Sequence, residues 1–301
     1  MFDEEQNLYS YQYTLLSIYF GFITAQIAMV ALTDFKNKHH YYLQCPAGKN
    51  WKLHVSENDV SFGNIASVTK QTDHMRIKLV HKNFSLDLKA QYGKGAFWHC
   101  DDGKLQMGIP GEKETTLYYS YTNMPTSGKL VLDGKEVRLT GKTWFDKQGG
   151  SYSIRNLKTH WEWFSLRFFD DEEIMLFTFP QDTHFDGTYI TKDCKRERLD
   201  HYKIERTGTL RAFGMKWSSG WKLHLEKKEK DYVIEPIQQG HMNFAYFEEL
   251  CYVKNIHGEI VGYFVTELLP GVLNGDWKTK DECGKDVEKV KITNLLKRIE
   301  L

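Results

Sequence analysis

Two short motifs in this sequence place aromatic and ionisable side chains where they could do chemistry together. Trp144 and Asp146 are two apart in "TWFD", and Trp161 and Trp163 are two apart in "HWEW". On a strand, residues two apart point to the same face. If aromatic rings enclose the carboxyl group of Asp146, burial raises its pKa, because burial disfavours the charged form. Asp146 could then donate a proton near neutral pH.

The same motifs also have an ordinary structural interpretation. The tryptophans would belong to the hydrophobic core, because large aromatic side chains are usually buried for packing. Asp146 would cap a turn at Gly149, and either His160 or Glu162 would be exposed. The residue types alone leave both interpretations open.

The segments that must position these residues have the pattern of antiparallel strands. The run "GKLVLDGKEVRLTG" at 128–141 is two alternating segments joined by Asp133-Gly134, which favours a tight hairpin turn. Similar hairpins are predicted at 170–173 and at His257-Gly258. Four shorter runs predict further strands: "HMRIKLV", "FSLDLKAQY", "WKLHLEK" and "DYVIEPI". The pattern is typical of an all-β protein.

The length of 301 residues allows two domains of ordinary size. The polar, glycine-marked stretch "KQGGSYSIRNLK" at 147–158 predicts the break between them, so that Gly149-Gly150 would end the strand that carries Asp146. We expect two tandem antiparallel β-barrels, at 1–150 and 151–273. In the tail at 274–301, apolar residues at helical spacing predict a C-terminal helix.

One uncharged segment is long enough to span a bilayer, but we predict that it forms two strands. No charged residue lies between Tyr13 and Thr33. The tyrosines just upstream alternate with polar residues, and Gly21 interrupts the segment. Gln26 lies near its middle, where hydrocarbon would leave the amide without partners. We therefore expect a hairpin with its turn at 20–22, and no transmembrane helix.

Charge and cysteine content exclude several classes of function. The 40 basic and 40 acidic residues balance, so no patch for nucleic acid is predicted. The five cysteines are far apart and form no C-x-x-C pair, which favours reduced thiols in the cytoplasm over a disulfide framework or a zinc site. The N-terminal "MFDEEQ" lacks the positive charge of a signal peptide.

Other catalytic motifs are absent or weak. The sequence has no G-x-S-x-G elbow, no G-x-G-x-x-G before a helix and no Walker motif. The run "HCDD" at 99–102 groups metal-ligand types, but adjacent residues of an extended chain point apart, so a turn is the better prediction. We therefore expect neither a metal nor an organic cofactor.

Four stretches of the sequence resemble a known family. They are "TAQIAMVALTD" at 24–34, "LYYSYTNMPTSGKLVLDGKEVRLTGKTWFDKQGG" at 117–150, "HWEWFSLRFFDDEEIMLFTF" at 160–179 and "GYFVTEL" at 262–268. Together they resemble the lipocalin-like family that includes hydroxyneurosporene synthase (carotenoid 1,2-hydratase), the AttH-like bacterial proteins and, more distantly, the fungal decalin-forming Diels–Alderases. The resemblance implies two calycin-type β-barrels with an apolar pocket in or between them.

The resemblance also assigns candidate site residues. In the hydratases an aromatic residue and an aspartate of the segment matching "TWFD" are implicated, which implies roles for Trp144 and Asp146. Aromatic or histidine positions in the preceding segment fall near Tyr118, Tyr119 and Tyr121, in a register that the sequence leaves open. We take Asp146, Trp144 and Tyr119 as the catalytic candidates. The candidates for substrate binding are Tyr118, Tyr121, Trp161, Trp163, Gln148 and His160.

Two departures from the family pattern affect these expectations. Gly149 stands where the family usually has a tryptophan, which would remove one wall of the pocket. The first strand of the family, a Glu-Trp-Trp-Tyr-Phe-like run, would end just before this chain begins. We therefore expect either that the start of the sequence is truncated or that the first barrel is open on one edge, which the C-terminal helix or a second chain in a homodimer could cover.

The chemistry that the resemblance implies is acid-catalysed attack on an isolated alkene of an isoprenoid-like apolar substrate, without a cofactor. Asp146 would donate a proton, the resulting tertiary cation would lie over Trp144, Tyr119 and Trp161, and water would add to it. The reverse reaction is a dehydration, and intramolecular capture would be a cyclisation. Two alternatives remain: a carrier that binds a hydrophobic molecule without changing it, and a pericyclase resembling the Diels–Alderases.

Overall fold

The computed structural model describes residues 1–19, 21–48, 52–107, 115–151, 161–179, 185–212, 215–239 and 247–269. Within these ranges the chain forms 23 β-strands and one 3-10 turn at Glu226–Lys228, and it contains no α-helix. The predicted all-β class is thus confirmed. The predicted C-terminal helix lies outside the described residues.

Contacts among the residues divide the chain into two compact units. The first comprises Met1–Gly95 with Asn123–Trp144, and the second comprises Ala96–Thr122 with the described residues from Phe145 onward. Since this division follows spatial contacts rather than sequence order, the predicted domain boundaries near residues 150 and 273 stay predictions. So does the homodimer.

Strands β1 to β8 belong to the first unit. They are β1 (Tyr9–Tyr19), β2 (Thr24–Asp34), β3 (His39–Pro46), β4 (Leu53–Val55), β5 (Asp59–Phe62), β6 (Ala66–Lys70), β7 (His74–Val80) and β8 (Phe84–Gln91). β1, β2 and β3 form one antiparallel sheet. β4 to β8 pair in sequence order in another sheet, where apolar cross-strand neighbours such as Ile77 and Leu88 are buried.

The uncharged N-terminal segment forms the predicted hairpin. β1 ends at Tyr19 and β2 begins at Thr24, with Gly21 between them at a φ of +76° that favours glycine. No helix in the described ranges is long and apolar enough to cross a bilayer. The alternation of tyrosines with polar residues therefore correctly predicted strands in this segment.

Two short strands and two long ones follow. They are β9 (Ala96–Trp98), β10 (Lys104–Gln106), β11 (Thr115–Leu132) and β12 (Lys135–Ser151). β11 pairs with β8, β9, β10 and β12. The turn between β11 and β12 is the predicted one, because Asp133 and Gly134 both have positive φ, +47° and +81°.

The remaining strands form the larger part of the second unit. They are β13 (Trp161–Phe168), β14 (Glu173–Thr178), β15 (Phe185–Ile190), β16 (Arg196–Leu199), β17 (Lys203–Arg206), β18 (Thr209–Ala212), β19 (Met215–Ser218), β20 (Trp221–Leu225), β21 (Lys230–Pro236), β22 (Phe247–Lys254) and β23 (Ile260–Leu269). Nine of them form one antiparallel sheet in the order β16-β15-β14-β13-β23-β22-β21-β20-β17. Both hairpins predicted in this part of the chain are present, at 169–172 and 255–259.

The two faces of β13 have different surroundings in this unit. Phe164, Leu166 and Phe168 point into a core whose other members include Trp221 and Phe264. Trp161 and Trp163 alternate with them, so they lie on the opposite face, yet they are only 8% and 6% exposed. The tryptophans are therefore buried without belonging to that core, and the other face of the sheet must be covered as well.

The Gly149-Gly150 pair does not end β12, contrary to the prediction. β12 continues through Ser151, and a Cβ atom added to Gly150 would lie 2.2 Å from the carbonyl oxygen of Thr115 and 2.6 Å from the Cα atom of Thr116. Gly150 is therefore required by the close approach of the β11 backbone. Glycine is typical both of turns and of such approaches, and the sequence does not distinguish them.

Replacing Gly150 with alanine is expected to lower the free energy of unfolding by about 1–3 kcal/mol, because the β11 backbone would have to move away. Gly149→Ala is the matched control, since nothing lies within 4 Å of a Cβ atom at that position. Denaturant titrations of both variants measure the difference. Equal stabilities would show that the β11–β12 spacing is more adaptable than the structure indicates.

Candidate functional site

The start of β11 has two faces with different chemical character. Tyr118 and Ser120 are buried on one face, and Tyr119 and Tyr121 are half-buried on the other. All four residues belong to the second unit. Because neighbouring residues of a strand alternate, only one of the two pairs can face the polar groups described below.

A chain of polar side chains leads from the interior of the second unit to Asp146. The Nδ1 atom of His99 lies 2.9 Å from Oγ1 of Thr188, and its Nε2 atom lies 2.6 Å from Oγ of Ser120. The Ser120 hydroxyl in turn donates to Oδ1 of Asp146. His99, Ser120 and Thr188 are fully buried. When Asp146 is ionised, Ser120 gives its only proton to this carboxylate, and Nε2 of His99 is then the donor to Ser120.

His99 is held in its neutral form. Burial lowers the pKa of its imidazole to about 3, and the positive charge of Arg196 contributes to the shift. The Arg196 guanidinium donates to the carbonyl oxygens of Trp98, at 2.7 Å, and of Cys100, so it is held beside His99. A neutral imidazole has one donor and one acceptor nitrogen, and both are used here.

The pKa of His99 predicts how stability depends on pH. In the unfolded chain the imidazole takes up a proton below about pH 6.5, whereas in the folded chain it stays neutral down to about pH 3. The unfolded state therefore binds more protons in this window, and stability falls as pH falls, by about 1.4 kcal/mol per pH unit. Urea titrations at several pH values in this window should show this slope, and His99→Gln should lose that part of it. Equal slopes in both proteins would contradict the neutral, buried state.

Tyr118 is the aromatic residue that faces Asp146. Its buried hydroxyl accepts a hydrogen bond from Nε1 of Trp163 at 3.0 Å, and its ring lies 4.3 Å from the ring of His99. Burial raises the pKa of Tyr118 well above its usual value, the charge of Asp146 and a hydrogen bond with it raise it further, and hydrogen bonds with Ser120 and Trp163 act in the opposite direction. The phenol therefore keeps its proton and remains a donor beside the carboxylate.

Asp146 itself is exposed, which corrects the prediction that aromatic rings enclose it. Every residue of β12 from Asp146 to Ser151 is exposed. The reason is topological: in the described part of the chain β11 is the only strand that pairs with β12, and the bridge between Phe2 and Thr140 meets the other edge of β12 six residues before Asp146. One side of the carboxyl group is anchored to buried Ser120, and an incoming molecule can reach the group from solvent.

Two further carboxyl groups lie near Asp146. Glu248 on β22 is directly opposite Glu267 on β23, and Nε1 of Trp161 donates to Oε1 of Glu267 at 2.6 Å. Burial raises the pKa of Glu248 well above its usual value, and the charges of Glu267 and Asp146 add to the effect. The two neighbouring carboxylates therefore favour the protonated form of Glu248.

Tyr119 and Tyr121 lie on the face of β11 opposite to Tyr118 and Ser120, and the predicted catalytic role of Tyr119 stays a prediction. The ring of Tyr119 lies 5.0 Å from that of Trp98 and 6.2 Å from that of Tyr121, and Tyr121 lies 6.3 Å from Phe145. These rings form an aromatic row on the other face of β11. Tyr118 takes the place beside Asp146, which is the register that the sequence left open.

The remaining candidates are distributed as follows. Trp163 contacts Tyr118, and Trp161 contacts Glu267, so both belong to the site. Gln148 donates to Oγ1 of Thr116 at 2.7 Å. Trp144 is half-buried and belongs to the first unit, where its predicted role stays a prediction. His160 lies outside the described residues.

Sequence reasoning missed His99, Ser120, Thr188, Glu248 and Glu267. The turn predicted at "HCDD" is present, and Cys100 has a positive φ of +57° there. His99 escaped notice because its partners are 21 and 89 positions away in the sequence. No cluster of potential metal ligands occurs among the residues that the structure describes.

Comparisons with known proteins identify relatives of this chain. The model of the AttH-like family matches residues 6–268. No curated protein matches. Among solved structures, a protein assigned as AttH from Nitrosomonas europaea is 18% identical, with a TM-score of 0.79 over 89% of this chain and 88% of that one. Kievitone hydratase from Nectria haematococca is 16% identical, with a TM-score of 0.72 over 89% and 85%. At these identities the two structures show the shared fold.

Proposed function

Because this chain belongs to the AttH-like family, we propose that it adds water to, or removes water from, a carbon–carbon double bond of an apolar small molecule. The hydrogen-bonded Asp146 is the observation on which the proposal rests. A surface carboxylate without a role in chemistry can be solvated by water alone. Asp146 instead accepts a hydrogen bond from buried Ser120 and has the phenol of Tyr118 beside it. The name of the structural neighbour kievitone hydratase supports the same class of reaction.

In the proposed reaction Asp146 both gives and takes a proton. Its carboxylic acid form donates a proton to the less substituted carbon of the alkene, which leaves a tertiary cation on the neighbouring carbon. Water adds to the cation through oxygen and then loses one proton to the carboxylate, so Asp146 ends as it began and the product is an alcohol. The reverse sequence is the dehydration.

The surroundings of Asp146 suit this role. Burial and the charges of Glu267 and Asp146 raise the pKa of Glu248, and Asp146 is the exposed carboxyl group of the three, which a substrate can reach from solvent. The indoles of Trp161 and Trp163 lie on the same face of β13 as this cluster. Aromatic rings stabilise a nearby cation by about 0.5–1 kcal/mol each at exposed sites and by about 2 kcal/mol where water is excluded. We propose an isoprenoid-like alkene as the substrate class, because its protonation gives a tertiary cation.

The test is incorporation of oxygen from labelled water. The full chain is incubated in oxygen-18 water with kievitone and with a panel of isoprenoid alkenes, and products are analysed by mass spectrometry. An alcohol carrying one labelled oxygen supports the proposal. A ligand that binds but returns unchanged, detected by native mass spectrometry, would make the protein a carrier, and an unlabelled cyclic isomer would make it a pericyclase. Either of these two results overturns the hydratase.

A further inference from the structure

The turn between β1 and β2 exposes three large apolar side chains. Phe22 is 91% exposed, Tyr19 is 72% exposed and Ile23 is 55% exposed, and no other large hydrophobic residue in the described ranges is as exposed as Phe22. Single apolar residues are common on protein surfaces, whereas a group of three is a candidate interaction site. We refer to Tyr19, Phe22 and Ile23 as the apolar tip.

Charged residues lie far from the apolar tip in the sheet that carries it. In the segment 9–48, which includes β1, β2 and β3, the acidic and basic residues are Asp34, Lys36 and Lys38. Asp34 lies opposite Tyr9, at the other end of the hairpin from its turn. Since β2 has 11 residues, Asp34 is about 33 Å from the start of that strand. The apolar tip can therefore leave water without desolvating a charge.

Other exposed apolar residues at hairpin turns are accompanied by charges. Phe169 is 58% exposed, and three acidic residues follow it at 170–172. Ile256 is 71% exposed, and it lies between Lys254 and Glu259 in the sequence. The lack of charge, in addition to the exposure, therefore distinguishes the apolar tip from these turns.

We propose that the apolar tip binds the surface of a lipid bilayer, with Phe22 and Ile23 inserted below the head groups. A bilayer accepts an uncharged hairpin turn of any outline, whereas a protein partner must supply a groove that matches it. The size of the tip also favours lipid over a second copy of the chain. At about 150–250 Å² for an aromatic side chain, the three residues offer roughly 400 Å², which is about half of the roughly 800 Å² per partner in a stable protein interface.

The pairing of the hairpin limits how deeply the tip can insert. The pairing of β1 with β2 continues up to Tyr19 and Thr24, so the segment beyond the last pair is only 20–23. In the described part of the chain β1 pairs with β2 alone, and hydrocarbon would leave the backbone groups at its other edge without partners. Insertion must therefore stop about 5–10 Å into the bilayer surface. At that depth the ring of Tyr19 would lie level with the head groups, where tyrosine is favoured.

Lys52 adds a positive charge close to the tip. It is exposed and precedes Leu53, whose backbone N–H donates to Oε1 of Gln26, the third residue of β2, at 3.2 Å. The long stem of a lysine can cover apolar surface while its ammonium group meets lipid phosphates. The order of apolar side chains at the turn and a cation behind them matches the order of hydrocarbon and phosphate in a bilayer.

Flotation with vesicles tests the proposal on the full chain without a substrate. Protein is mixed with vesicles of phosphatidylcholine, alone or with phosphatidylglycerol, and its partition coefficient is measured after centrifugation through a density gradient. The wild-type chain should float with both, and binding to phosphatidylcholine should persist in high salt because apolar area drives it. Phe22→Ser should lower the partition coefficient about tenfold to hundredfold, the effect of no longer burying one phenylalanine side chain.

Phe169→Ser is the matched control, since it removes an exposed phenylalanine from another hairpin turn and should leave the partition coefficient unchanged. Tryptophan fluorescence then locates the tip. Phe22→Trp should add emission that vesicles of brominated phosphatidylcholine quench, and Phe169→Trp should add emission that they do not. This second measurement decides the outcome if circular dichroism shows that Phe22→Ser does not fold.

Four results would overturn the proposal. They are no flotation of the wild-type chain, equal flotation of folded Phe22→Ser, equal quenching of the two tryptophan variants, and loss of binding to phosphatidylcholine in high salt. A dimer that Phe22→Ser dissociates, found by sedimentation in a chain that binds no vesicles, would assign the tip to a second copy instead.

Vesicle binding does not depend on the proposed hydration. A chain that floats with vesicles but hydrates no alkene would keep this inference and lose the proposed function, and the reverse result would do the opposite. If both hold, the apolar tip would bring the protein to the phase in which apolar small molecules accumulate.

Discussion

Asp146→Asn is expected to lower kcat about 10²–10⁴-fold for a substrate to which the protein adds water. This is the usual contribution of a general acid or base. Asparagine keeps the shape of the side chain and can still meet the hydroxyl of Ser120. It cannot deliver a proton to carbon or take one from water. The binding constant of the substrate should therefore change little, and kcat should carry the loss.

The matched control is Asp193→Asn, which removes a carboxylate of the same kind from an exposed turn of the same unit. Its turnover should equal that of the wild-type chain. Steady-state kinetics of the three proteins with one substrate make the comparison. If Asp146→Asn retains turnover within about threefold, the carboxyl is not the acid, and a protonated Glu248 becomes the group to examine.

The largest expected change in stability follows from Phe164→Ala. Phe164 is only 1% exposed, and its ring lies 5.2 Å from that of Phe264 and 5.6 Å from the indole of Trp221. Removing a buried phenylalanine ring costs about 3–5 kcal/mol, because the transfer of the ring is lost and the surrounding core collapses only in part. The free energy of unfolding of the second unit should fall by this amount.

Phe169 provides a control of the same residue type on the same part of the chain. It is 58% exposed, and its main contact with another ring is with Tyr263 at 5.6 Å. Phe169→Ala should change the free energy of unfolding by less than about 1 kcal/mol. Denaturant titrations followed by circular dichroism compare the two variants. Similar losses would show that the core around Phe164 is able to close over the cavity.

The fold was largely predictable because turns and alternation are local signals. Asp133-Gly134 marked the β11–β12 hairpin through the positive φ angles that such turns need, and the run 74–80 matches β7 residue for residue. The error at Gly149-Gly150 has a physical reason. The steric fact that decides its meaning is the approach of Thr115 and Thr116, more than thirty positions away.

The site was less predictable, since its geometry depends on which face of a strand meets which partner. Alternation shows that Tyr118 and Tyr119 point in opposite directions, but not which of them meets Trp163. The resemblance to a family drew attention to Asp146. Nothing local connects His99 with Thr188, because tertiary structure alone brings them together.

The opposite orientations of Trp163 and Phe164 have a consequence for how such a protein can diverge. These two residues are consecutive, yet one contacts the carboxyl site through Tyr118 and the other lies in the core. Neighbouring codons are therefore under separate selective demands. Mutation at alternate positions of β13 and its neighbours could retune the choice of ligand over generations, while the intervening positions preserve a foldable chain.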